Sequence, residues 1–111
     1  MTVELDAKNV FEAMLAAARK TIGEDVPEAK KYIESSTRAL AANTQEVAGW
    51  LAAGQITLED AQALMRMHER SAKMALTAAE TIGLAMAERA INAAINAVRD
   101  LVNRVLPVPL L

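Results

Sequence analysis

The fold turns on Met74-Ala75-Leu76-Thr77-Ala78-Ala79-Glu80-Thr81-Ile82-Gly83-Leu84-Ala85-Met86-Ala87. This stretch holds a single Gly and no Pro, Asn, Asp or Ser, the residues that usually flank a turn. Alanine, the strongest helix former, dominates it. A lone Gly inside a helical pattern costs about 1 kcal/mol against Ala and is normally tolerated. The stretch therefore reads as helix interior, with at most a kink at Gly83. A full chain reversal there would instead be expected to place Gly83 at positive φ.

Working outward, the next stop signal is Pro107 and the preceding start signal is Ile56-Thr57-Leu58-Glu59-Asp60. Thr57 is a favourable N-cap, and the two acids after it suit the positive end of the helix dipole. Ile56 is placed to staple onto Ala61. A continuous third helix over 58–106 would run roughly 73 Å at 1.5 Å per residue. Gly54 closes the helix before it, so the second and third helices are joined by a tight turn and must be antiparallel neighbours.

The second helix is expected over 27–53, about 40 Å long. Asp25 and Glu28 cap its start, and Pro27 is tolerated in the first turn, where its missing N–H has no partner anyway. Its apolar stripe is Ala29, Tyr32, Ile33, Ser36, Leu40, Asn43, Val47, Trp50 and Leu51, with Ser36 and Asn43 as polar interruptions. Asn43 either fixes register or, the favoured reading, bonds to backbone or sits at the edge. The first helix is expected over about 4–22, with Val3, Ala7, Val10, Phe11, Met14, Leu15, Ala18 and Ile22 on one face and Gly23 after it.

These elements make one helical domain over 1–106. The remaining Pro107-Val108-Pro109-Leu110-Leu111 reads as an extended apolar tail, which either frays or docks onto something, such as another protein. Thr21-Ile22-Gly23 recurs as Thr81-Ile82-Gly83, too short a match to mark a repeat.

The fold class is thus all-α, a three-helix chain assembled into a helical-bundle oligomer through its long C-terminal helix. The oligomer follows from coverage. Leu58, Met65, Ala72, Ala79, Met86 and Ala93 form one seven-residue series; Leu84, Ile91, Val98 and Val105 form another on a different face. A helix apolar nearly all round must be buried on several sides. With helices one and two beside residues 58–82, the side chains of Leu84, Ile91, Ile95, Val98, Leu101, Val102 and Val105 lack a partner within the chain. They are the expected oligomer interface. A fragment ending at Ile82 would then keep its fold and lose only assembly.

Composition excludes several function classes. The 111 residues include 24 Ala, no Cys and one His. Disulfide scaffolds, thiolate metal sites, thiol nucleophiles and multi-His sites within one chain are ruled out. Net charge is −2, with no basic footprint for nucleic acid. Residues 74–111 carry only Glu80, Glu88, Arg89, Arg99, Asp100 and Arg104 as charges. The start lacks a basic, then apolar, leader, and 74–98 carries charges costing roughly 2.5–3.5 kcal/mol each at a bilayer centre. Cytoplasmic residence is the expectation.

No catalytic or metal residues and no cofactor are expected. His68 has Leu64, Met65, Ser71 and Ala72 at its helical neighbours, none of them a carboxylate, and reads as a helix-boundary residue. Neither a Glu-x-x-His of the di-iron bundles nor His-Glu-x-x-His occurs. Glu80, Glu88 and Arg89, isolated among alanines, are candidates for polar contacts between subunits or for a solvent strip. Arg66, Arg70 and Lys73 form a short basic ridge that reads as a solvated face with nearby acids. The expected function is a non-enzymatic structural or adaptor protein whose partner is itself. The alternative is a membrane- or lipid-surface-active protein whose apolar C-terminal region is masked in a soluble oligomer.

Overall fold

The computed structural model describes residues 7–22, 29–79, 82–106 and 108–111. It is all-helical, with four helices among these residues: α1 (Ala7–Ile22), α2 (Lys30–Ala52), α3 (Leu58–Leu76) and α4 (Leu84–Val105). They pack as a bundle in which each helix lies beside the next, and α4 closes back onto α1. The bundle is flattened, measuring 41 × 27 × 16 Å. The expected caps at Asp25 to Glu28, Gly23 and the start of the first helix lie outside the described residues.

The turn between α2 and α3 forms as its sequence predicts. Gly54 adopts φ +73°. Its N–H donates to Leu51 O at 3.1 Å, and that of Gln55 to Trp50 O at 2.9 Å. This is the paired bonding that closes a helix through a left-handed residue. Thr57 is extended, and its hydroxyl accepts from the Asp60 N–H at 3.1 Å. Ala61 is fully buried, and Ile56 packs partly buried against the core.

The third helix is not continuous. It ends at Leu76, and α4 starts at Leu84, so the chain has four helices rather than three. The reason is the pair of faces already visible in the sequence. The buried face of α3 is Ala61, Met65, Ala72 and Leu76. That of α4 is Ala87, Ala90, Ile91, Ala94, Ile95, Val98 and Val102. A straight helix would leave the second set without cover in the chain. Folding back lays it on α1, whose Val10, Met14 and Ala18 are fully buried. The premise that helix one covers the first half of helix three is therefore corrected: α1 packs most closely on α4, and α3 on α2. Alanines at 87, 90 and 94 let the α1 and α4 backbones approach.

Several described backbone groups of the break remain paired. Thr77 N–H still donates to Lys73 O at 3.2 Å, and Ala78, Ala79 and Ile82 donate to carbonyls three residues back at 2.9–3.2 Å. Gly83 has φ −76° and ψ 164°, so the reversal is made without the positive φ expected of it.

In α2 the buried stripe is Ile33, Ser36, Thr37, Leu40, Ala41, Thr44, Val47 and Ala48. It is rotated from the expected face, leaving Tyr32 and Trp50 exposed and Asn43 half-buried. Two threonines were missed because they are polar. Their hydroxyls donate up their own helix, Thr37 to Ile33 O at 2.6 Å and Thr44 to Leu40 O at 2.7 Å, so each buries a satisfied group and a methyl. An Arg19–Glu34 ion pair at 2.6 Å ties α1 to α2. The last residues dock on the bundle. Leu110 is buried, and the Asn103 side chain exchanges two hydrogen bonds with the Leu111 backbone, at 2.9 and 3.1 Å.

Candidate functional site

Of the four neighbouring helix pairs, α3 and α4 are the least closely packed. The gap between them is a groove of about 470 Å³, lined by Arg66, Glu69, Arg70, Lys73, Met74, Leu84 and Glu88. Helical periodicity builds its α3 wall, because positions 66, 70 and 73 share a face one step round from the buried Met65, Ala72 and Leu76. The first turn of α4 supplies the other wall. Its N-terminal Leu84 and, one turn on, Glu88 face back toward the end of α3 only because the chain reverses.

The groove has an apolar mouth. Met74 is 61% exposed and Leu84 54% exposed, two of the most exposed large apolar side chains described. Around them the charge is divided, with bases on α3 and Glu88 on α4. Glu69 lies half-buried between. Burial raises its carboxyl above the ordinary value of 4.5, while the charges of Lys73, Arg99 and Arg66 pull the other way without cancelling it. Arg99, on α4, thus joins Lys73 and Arg66 of α3 in the field around Glu69. The lining thus combines exposed apolar side chains with charges of both signs.

The expected interface residues divide. Ile91, Ile95, Val98 and Val102 are buried inside the chain, Leu101 and Val105 are half-buried, and only Leu84 is exposed. Glu88 and Arg89 are exposed, with Glu88 in the groove. Glu80 lies outside the described residues. The basic ridge is where the sequence placed it; its partner wall was missed, since no local signal announces the reversal that brings Leu84 and Glu88 beside it. His68 is half-buried on α3.

Among the described residues no group of three or more His, Cys, Asp or Glu is placed to hold a metal ion. No described helix is long and apolar enough to cross a membrane. Comparison with protein-family models, curated proteins and solved structures finds no match.

Proposed function

We propose that the chain is a non-enzymatic structural or adaptor protein of the cytoplasm that assembles with copies of itself through the α3–α4 edge. The observation that carries this is the exposed Met74–Leu84 pair at the mouth of a groove whose two walls bear opposite charge. Such an edge is self-complementary. A two-fold axis through the mouth sets the Leu84 of one copy on the Met74 of the other, and the acidic wall of each against the basic wall of its mate. Light scattering tests it. The chain should exceed monomer mass at micromolar concentration, and Met74→Asp should weaken the association. A strict monomer up to millimolar concentration would overturn the reading.

A second reading draws on the same ridge. Arg66, Arg70 and Lys73, beside the exposed Met67 and Met74, resemble the rim of a surface that touches anionic lipid. Co-sedimentation with anionic vesicles, lost in salt and in Arg70→Glu, would favour it over self-assembly.

A further inference from the structure

We infer that the groove between α1 and α2 is a binding site for a small aromatic carboxylate, a flat acid of one or two rings. The site is separate from the α3–α4 edge. Each helix lies beside the next and α4 closes on α1, so the two grooves open on opposite sides of the bundle.

The groove holds about 350 Å³ and is lined by Lys8 and Phe11 of α1 and by Arg38, Ala41, Ala42 and Gln45 of α2. Its α2 wall is one helical face, since positions 38, 41, 42 and 45 recur at three- and four-residue steps. Phe11 is half-buried, Ala41 is buried, and Lys8 and Arg38 are exposed. Small side chains make the space. Two alanines beside a ring leave a slot that larger aliphatic side chains would fill.

Charge says what kind of ligand the slot takes. Both ionisable side chains of the lining are basic, and no acid lines the groove. The α3–α4 groove differs, because Glu69 and Glu88 offset its bases. The Arg38 guanidinium carbon lies 5.0 Å from the centroid of the Phe11 ring, within cation–π range. That contact holds the planar fork beside the ring before any ligand arrives, which lowers the cost of ordering it. Among the described residues Arg38 pairs with no carboxylate; the ion pair that ties α1 to α2 uses Arg19 and Glu34 instead. The fork is thus preplaced at an apolar slot with no oxyanion to hold.

One ligand chemistry satisfies all of these features. A carboxylate meets Arg38 through two parallel N–H···O bonds, and Lys8 adds a second positive charge. The flat apolar body lies against Phe11 and over the two alanines. Inorganic phosphate or a short aliphatic acid would use the bases and leave the slot unfilled. A neutral ring would fill the slot and leave the guanidinium without its oxyanion. The volume lies at the lower end of the roughly 300–1,000 Å³ typical of small-molecule sites, which sets the size at one or two rings.

The test titrates naphthalene-2-carboxylate into the isotope-labelled full chain and follows amide chemical shifts. Saturable shifts are expected at Phe11, Ala41 and Ala42, with a dissociation constant of about 1 mM or below. Naphthalene-2-carboxamide has the same shape without the charge and should bind about tenfold or more weakly, having lost the charge-assisted bonds. Arg38→Gln alters an exposed side chain and should keep native helical circular dichroism. In that variant the difference between acid and amide should vanish, a readout that a merely structural role for Arg38 would not move. The site is refuted if acid and amide bind the wild-type chain alike, or if their difference survives in Arg38→Gln. It is equally refuted if the shifts fall on the Met74–Leu84 groove, or if none saturates by about 10 mM. None of these outcomes bears on self-assembly, which light scattering reads separately.

Discussion

Removing α4 should unfold the molecule rather than merely dissociate it. A chain ended after Ile82 loses Ile91, Ile95, Val98, Val102, Leu106 and Leu110, all buried in the intact bundle. Burial of such a side chain contributes roughly 1.5–3 kcal/mol, so the six amount to about 9–18 kcal/mol. Allowing for an unfolded chain that already hides up to about 40% of its apolar surface still leaves about 5–11 kcal/mol. A domain's whole net stability is about 5–15 kcal/mol. The fragment also bares Val10, Met14 and Ala18, the face of α1 that α4 covers. Far-UV circular dichroism and urea titration of the 82-residue fragment are the assay. The expected result is low helicity and a shallow, non-cooperative urea profile. The single substitution Ile91→Ala in the full chain should give the graded counterpart, a loss of about 2–5 kcal/mol with cooperativity retained. A fragment with native-like helicity and a sharp transition would refute the reasoning. It would show that α1, α2 and α3 form a core of their own, with α4 an accessory.

Four smaller predictions rest on particular residues. Thr57→Ala should lower stability by about 1 kcal/mol through loss of the N-cap bond to Asp60, read as a drop in thermal midpoint. Gly54→Ala should cost about 1–2 kcal/mol because its φ is +73°. Gly83→Ala, at φ −76° in open space, should be neutral or stabilise by less than about 1 kcal/mol. Glu69 supplies a pH dependence: burial raises its folded carboxyl above the unfolded 4.5, so its charge opposes folding above that raised value, and the penalty fades as pH falls toward 4.5. Glu69→Gln should therefore raise the thermal midpoint at pH 7 and make no difference near pH 4, where wild type and variant melts should coincide.

Local chemistry carried the parts of the fold that could be read from sequence. Thr57 with Glu59 and Asp60 fixed a helix start, and Gly54 fixed the stop before it, because capping and left-handed closure depend on the identity of one or two residues. The α1 stripe through Val10, Met14 and Ala18 was legible for the same reason, being a short-range periodicity. The rotation of the α2 face was not, because Thr37 and Thr44 look polar in sequence and become core residues only once their hydroxyls bond to Ile33 and Leu40. The groove was half legible. Arg66, Arg70 and Lys73 lie on one helix and announce themselves by spacing, whereas Leu84 and Glu88 join them only through the reversal.

That reversal is decided by none of the residues described within it. Between Leu76 and Leu84 the sequence is compatible with helix, and Gly83, where α4 begins, has backbone angles any residue adopts. What bends the chain is the angular offset between the Met65–Ala72 stripe and the Ile91–Val98 stripe, together with an α1 surface that fits the second. A turn specified by its ends rather than its middle is stable only while those ends find each other within one chain. Ile91, Ile95, Val98 and Val102 are buried in that way within one chain. Four of the seven residues that sequence patterning marked as an interface are thereby hidden inside the closed bundle.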